Sequence, residues 1–232
     1  MSKTIAVFGA GPGMGFSVAR RFGREGYRVA LVSRTKARLD AFAEELAGEG
    51  IEATGYVGDL ADRGALPALV TAIGAIDVLY YGPAGVDWLG HQVDVRDAGP
   101  ESFEFPLDLL LRTPSVLVRA VLPGLLERGE GGLLFALAVS ASAPYPQIAN
   151  VGAAAAAARS YAQSLHVSLT GTGVYAGLVQ VGGMVGGSDA AQYAMAHWDP
   201  SRLPAPIEPD TLAEAVWDLF RARDRFEQTI RG

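Results

Sequence analysis

The sequence has no cysteine, and its only lysines are Lys3 and Lys36. Without cysteine there is no disulfide framework, no thiolate nucleophile and no cysteine metal site. That usage fits a reducing compartment, and a cytoplasmic location is the expectation. Basic runs are also missing: the net charge is −6, so nucleic acid is not an expected partner. The three histidines, His91, His166 and His197, are too far apart for a metal spacing such as HExxH, and no metal is expected. Charged residues make up 19% of the chain and hydrophobic ones 50%, which argues against general disorder. The most apolar stretches are broken by Gly, Pro or charge before they span a bilayer, and Ala153 to Ala158 is too short to do so. Met1-Ser2-Lys3 runs straight into an apolar strand pattern, without the length or cleavage site of a signal peptide. No membrane association is expected.

What is present is an alternation of short β-branched runs with longer helical patterns over 232 residues, the mark of a parallel sheet covered on both faces. Strands are expected at Thr4–Phe8, Arg28–Ser33, Ala53–Val57, Asp77–Tyr81, Leu133–Val139, Val174–Val181 and Phe226–Ile230. Helices are expected at Met14–Glu25, up to Leu46, near Ala65–Ile73, over Phe105–Glu127 with a kink at Pro114, over Ile148–Leu169, near Ala190–His197 and over Thr211–Ala222. Pro83 to Pro100 reads as a long loop. The Gly-, Pro- and Ser-containing segment 188–209 reads as a mobile lid, with Tyr193, Met195, His197 and Trp198 as its apolar underside. One α/β domain over residues 1–232 accounts for all of this, with function expected beyond the carboxyl ends of the strands.

The first of those ends carries Gly9-Ala10-Gly11-Pro12-Gly13-Met14-Gly15 between strand and helix. Glycine permits positive φ and close approach of backbone to phosphate, and the helix start aims unpaired N–H groups at a pyrophosphate. In this strand–turn–helix context the pattern indicates a dinucleotide-binding Rossmann-type doubly wound sheet. An NAD site usually has an acid at the end of the second strand to hold the ribose 2′-hydroxyl. Here Ser33-Arg34-Thr35-Lys36 stands there instead, so NADP(H) is expected over NAD(H), with Arg34 clamping a 2′-phosphate. Asp59, followed by Leu60, reads as an acceptor for the adenine amino group, as an N-cap for the next helix, or as both.

Gly9-x-x-x-Gly13-x-Gly15, Asp59-Leu60, Leu122-Pro123 and Arg159-Ser160-Tyr161-Ala162 together resemble the short-chain dehydrogenase/reductase family, over nearly the whole chain. The resemblance implies strand order 3-2-1-4-5-6-7, cofactor contacts at Gly82 and Gly182, a small-molecule substrate, and a homodimer or homotetramer built on the long helices. The family's chemistry uses Asn, Ser, Tyr and Lys, and here the chain departs from the pattern. Aligned on Arg159 and Ser164-Leu165, the tyrosine position is Val151 and the lysine position Ala155. The asparagine position falls near Leu110, and serine survives at Ser140 or Ser142. The chain looks most like a divergent bacterial group lacking the Tyr-x-x-x-Lys pair. Misalignment does not restore the lysine, because Lys3 and Lys36 both lie in the nucleotide-binding half.

Replacing Tyr and Lys by Val and Ala predicts an apolar hollow beside the nicotinamide. Ser140 and Tyr145 are the candidate polar groups there, Tyr145 as a hydrogen-bond donor more readily than as a proton shuttle. Tyr80 and Tyr81 alternate across the fourth strand, so one faces each side of the sheet. His91 and His197 are candidate substrate-side acids, and His166 reads as structural. Three functions remain open: an NADP(H)-dependent oxidoreductase of a small carbonyl or conjugated substrate, a non-redox isomerase or cyclase using the emptied pocket, and an NADP(H)-sensing binding protein without turnover.

Overall fold

Thr4–Phe8 (β1) is buried along its whole length, as expected of a central parallel strand packed on both faces. In the computed structural model, which describes residues 2–83, 86–197, 199 and 205–232, β1 pairs in parallel with Arg28–Ser33 (β2) and with Val78–Tyr81 (β4). Ala53–Val57 (β3) lies outside β2. Gly131–Ala138 (β5), Val174–Gly182 (β6) and Glu227–Arg231 (β7) follow on the other side. The order is β3-β2-β1-β4-β5-β6-β7, all parallel. This is the Rossmann-type doubly wound sheet, and its order reverses between β1 and β4, where ligands of such sheets sit.

Each face of the sheet has its own core. Met14–Arg24 (α1) buries Gly15, Val18, Ala19 and Phe22 at helical spacing. Phe22 meets Trp217 of Pro209–Ala222 (α8) edge-on, with ring centroids 4.9 Å apart. Lys36–Gly48 (α2) covers the same face through Leu39 and Leu46. The opposite face holds Leu66–Ile73 (α3), a helical run ending in Thr113–Arg128 (α5), and Ala149–Ser168 (α6). On α6 the buried positions Val151, Ala154, Ala155, Ala158 and Ala162 let the helix lie close to β5 and β6.

Several sequence expectations need correction. The long loop after β4 is not all irregular: Val86–His91 is a 3₁₀ turn, while residues 84–85 of that loop lie outside the described residues. The helix expected over Phe105–Glu127 is continuous but not uniform. It runs from a 3₁₀ turn at Pro100–Phe103 through Glu104–Leu107 (α4) and a π-turn at Asp108–Arg112 into α5. Pro114 supplies the cause, because it has no N–H to donate. The Thr113 N–H passes over Leu109 to reach the Asp108 carbonyl, and the Leu109 carbonyl takes its hydrogen bond from the Tyr81 hydroxyl instead. The expectation that every apolar stretch is broken before bilayer length also has an exception. Within Pro100–Arg128, 29 residues long, one 18-residue stretch has a mean hydropathy of 1.5, long and apolar enough by length and composition alone to cross a membrane. In the fold its face at Leu117, Val118, Val121 and Leu125 packs into the core.

Candidate active site

The glycine turn and the end of β4 meet at the switch point. Gly9 has φ +100°, and a Cβ there would lie 2.6 Å from the Gly82 carbonyl oxygen, so no other residue fits without backbone movement. A Cβ on Gly15 would lie 2.4 Å from the Gly9 carbonyl oxygen, so this glycine lets α1 close down on the turn. Gly11 is different: nothing lies within 4 Å of a Cβ built there, leaving its backbone open to a ligand. No side chain caps the N-terminus of α1 at Gly13. These features form a cradle for a phosphate group.

Two hollows open from the cradle. The smaller, about 150 Å³, is lined by Ser33, Arg34, Thr35, Arg38, Asp59 and Leu60 among others. The Ser33 hydroxyl is closed to solvent and has no hydrogen-bond partner among the described residues. An orphan hydroxyl beside two guanidinium-bearing residues fits a phosphorylated ribose. Asp59 accepts a 2.9 Å hydrogen bond from the Ala61 N–H. It does not cap the next helix, because α3 begins only at Leu66.

The larger cavity, about 350 Å³, lies across the carboxyl edge of β4, β5 and β6 and is lined mostly by apolar side chains. Gly9, Gly11, Gly13, Met14, Gly15 and Gly82 border it on the cradle side. Val151, Ala155 and Leu110 line it on the α6 side together with Ser140. The Ser140 hydroxyl is buried and unpartnered among the described residues. Ser142 donates to the Gln180 side-chain oxygen at 2.7 Å and does not line the cavity. Of the two serines left open by the sequence, Ser140 is therefore the one at the site. Tyr80 lines the cavity from the α1 side and its hydroxyl is likewise unpartnered. Burial pushes its phenol well above the usual range, so it stays protonated at neutral pH.

Other expected residues fall elsewhere. Tyr145 is 43% exposed and is not part of the cavity wall; Pro144 and Pro146 hold it in an extended turn at the surface. Gly182 pairs with Arg231 at the end of β6, and Gly183 takes its place at the cavity. His91 stacks on Phe105 with ring centroids 3.8 Å apart, and His197 stacks on Tyr193; neither lines the cavity. His166 bonds the Ala176 carbonyl through Nδ1 at 2.8 Å, a structural contact. The helix Asp189–His197 (α7) turns Ala191 and Ala194 inward and leaves Tyr193 and Met195 exposed, the reverse of the expected underside. Trp198 lies outside the described residues, as do positions 200–204 of the expected lid. The neck of this excursion is pinned, since Gly186 N–H donates to Ile207 O at 2.9 Å and Ile207 N–H to Met184 O at 2.7 Å.

The local sequence did not signal two further residues. Asn150 is fully buried. It accepts from the Val93 N–H at 3.0 Å and donates to the His91 and Ser102 carbonyls at 2.7 Å each, fastening the loop after β4 to α6. Asp189 lines both hollows. Among the described residues no group of three or more metal-ligating side chains comes together.

The geometry can be set beside known proteins. The family model described as short chain dehydrogenase matches residues 3–196. The NADP-dependent 3-hydroxy acid dehydrogenase YdfG of Salmonella typhi is 30% identical over 222 residues, 92% of this chain and 87% of that protein. Dehydrogenase/reductase SDR family member 4 of Pongo abelii is 31% identical over 149 residues, 62% of this chain. The chain spans about half the length of that relative, 52%. Among solved structures, a metagenomic short-chain oxidoreductase in complex with NADP has a TM-score of 0.79 and 26% identity, over 100% of this chain and 98% of that one.

Proposed function

The chain belongs to the short-chain dehydrogenase family, and we propose that it is an NADP(H)-dependent oxidoreductase whose site works without the family's tyrosine–lysine pair. The observation that carries this is the cavity wall itself. Val151 and Ala155 line it, and the chain's two lysines are engaged elsewhere, Lys3 with Glu130 and Lys36 with Asp40. The preference for NADP(H) rests on Ser33, Arg34 and Arg38 in the smaller hollow. It is supported by the cofactors named for the Salmonella relative and the metagenomic structure.

In this reading the backbone from Gly9 to Gly15 and the start of α1 hold the pyrophosphate. Ser33 and Arg34 hold the 2′-phosphate, and Asp59 and Leu60 border the adenine. The bound cofactor supplies hydride chemistry. Ser140 donates a hydrogen bond to the substrate oxygen, and the proton comes from Ser140 or from water entering the cavity. Leu110, Val151 and Ala155 exclude bulk water from the reacting centre, which strengthens that one polar contact. Tyr145 has no part at the reacting centre.

The substrate is a small neutral carbonyl or conjugated compound. Among the described residues Asp189 is the only charged side chain on the cavity wall, and an anion there does not favour a carboxylate such as the hydroxy acid named for the Salmonella relative. Segment 188–209 serves as a lid. The outward face of α6, with Ala153, Ala156 and Ser160 exposed, is the surface for a homodimer or homotetramer. A cytoplasmic location remains the expectation.

The test is NADPH consumption with a panel of neutral ketones and enones, alongside binding of NADPH and NADH. Oxidation of NADPH supports the proposal. The mostly apolar cavity also suits the alternative of a non-redox isomerase or cyclase, and product formed without cofactor consumption would establish it. Tight NADPH binding with neither outcome would leave a sensing protein. Arg34→Ala is expected to weaken NADPH by about 1.5–3 kcal/mol and NADH much less; equal weakening would refute the cofactor assignment.

A further inference from the structure

Asp189 is the first residue of α7 and, among the described residues, the one charged side chain that lines both hollows. Arg38 of α2 pairs with it through two contacts, Nη1 to Oδ2 at 2.9 Å and Nη2 to Oδ1 at 3.3 Å. The partners are 151 residues apart. Arg38 borders the same hollow as Ser33 and Arg34. The acid that is absent from the end of β2 is thus delivered to the adenosine hollow from the segment after β6, and it occupies one of the two guanidinium groups there.

The ion pair also fastens α7 across the glycine cradle. Beside it, a Cβ on Gly13 would lie 3.1 Å from Cβ of Ser188. Ser188 in turn closes the start of α7, accepting from the Ala191 N–H at 3.1 Å. Both side chains of the pair are about a third exposed, 37% and 32%, so water screens it and it is weakly held. A phosphate presents more charge and more acceptor oxygens to the same guanidinium fork than a carboxylate does.

We propose that Asp189 competes with the cofactor's 2′-phosphate for Arg38, so that NADP(H) binding draws Arg38 away from α7 and frees the start of that helix. The inference rests on the NADP(H) reading above. NADH lacks the 2′-phosphate, so with NADH Arg38 stays on Asp189. Asp189 is in this sense a specificity-determining residue that opposes the phosphorylated cofactor and links its arrival to α7.

The experiment is titration of NADPH and NADH into the wild-type protein and Asp189→Asn, with hydrogen exchange followed over residues 189–197. Removing the competitor is expected to tighten NADPH about two- to fivefold, the ceiling set by a partly exposed ion pair, and to leave NADH unchanged. In the wild type NADPH speeds exchange at the start of α7 and NADH does not. In Asp189→Asn exchange there is fast from the outset and indifferent to NADPH. Arg38→Ala speeds exchange in α7 as well, but weakens NADPH. Unchanged or weaker NADPH binding by Asp189→Asn would overturn the inference. So would equal tightening of both cofactors, which would mean general repulsion of phosphate. Failure of the wild type to bind either cofactor would instead refute the functional reading beneath it.

Discussion

Restoring the family's catalytic pair should not restore the family's catalysis. In the double variant Val151→Tyr with Ala155→Lys, the tyrosine ring has room, because Val151 faces a cavity of about 350 Å³; overpacking is not the obstacle. The lysine is. Ala155 is 1% exposed, its neighbours on the cavity wall include Leu110, Leu137 and Val151, and the only carboxylate on that wall among the described residues is Asp189, already paired with Arg38. An ammonium there is desolvated without a partner, so its pKa falls. A fall of about two units corresponds to about 2.7 kcal/mol of lost stability at neutral pH. The sign follows from linkage: the folded pKa lies below the unfolded one, so the unfolded state binds more protons and the deficit shrinks as pH rises toward about 10. Denaturant unfolding of the wild type and Ala155→Lys at neutral and alkaline pH checks this. Turnover of simple ketones with NADPH by the double variant should stay at least about a hundredfold below the usual enzyme median of about 10 per second, because a relay acts as a unit and the proposed reading puts Leu110 near its asparagine position. Turnover near that median, or a stability deficit independent of pH, would refute the reasoning.

Three further outcomes are expected. Tyr80→Phe removes a buried hydroxyl that has no partner among the described residues, so thermal unfolding of the cofactor-free protein should be unchanged or shifted upward by the equivalent of about 1 kcal/mol. Asn150→Ala leaves the Val93 N–H and the His91 and Ser102 carbonyls without their partner; a loss of about 2–4 kcal/mol is expected, with faster hydrogen exchange over residues 91–103. Glu227 is held below its usual pKa by the Arg159 guanidinium, with Gln180 assisting. Its contribution, about 1 kcal/mol, is present above the unfolded carboxylate pKa and lost as pH falls through the depressed folded value. The stability gap between wild type and Glu227→Gln should therefore close on acidification.

The fold was legible where the information is local. Alternation of β-branched runs with helical periods located all seven strands, and the glycine turn announced its own geometry because φ at Gly9 and the Gly9–Gly15 contact are properties of a seven-residue segment. Pro114 likewise predicted a disturbance in its helix. The form of that disturbance was not legible, because the group that satisfies the freed Leu109 carbonyl is Tyr81, 28 residues earlier on a different element. Of the two roles the sequence leaves open for Asp59, the cap is excluded for a similar reason: the residues between it and Leu66 form turns of their own, with the Asp62 carboxylate accepting from the Ala65 N–H at 3.3 Å.

At the site, the same distinction separates what the chain declares from what it conceals. Val151 and Ala155 are four residues apart on one helix, so helical periodicity puts them on one face, and both line the cavity. Tyr145 sits in a loop, where two flanking prolines set its backbone but nothing local sets its direction, and it is exposed and does not line the cavity. The contrast is sharpest for charge. Reading the end of β2 alone leaves Arg34, Lys36 and no acid, and argues for a simple cationic phosphate site. The tertiary structure brings Asp189 to Arg38 from 151 residues away, so the site is balanced rather than bare. Cofactor preference then depends on how far Asp189 offsets Arg38, not on the residue count at β2. An exposed pair worth at most about 1 kcal/mol is too weak to cancel a bidentate phosphate contact worth about 1.5–3 kcal/mol. The sign of the preference therefore survives the acid, and what the acid changes is its size and its connection to α7.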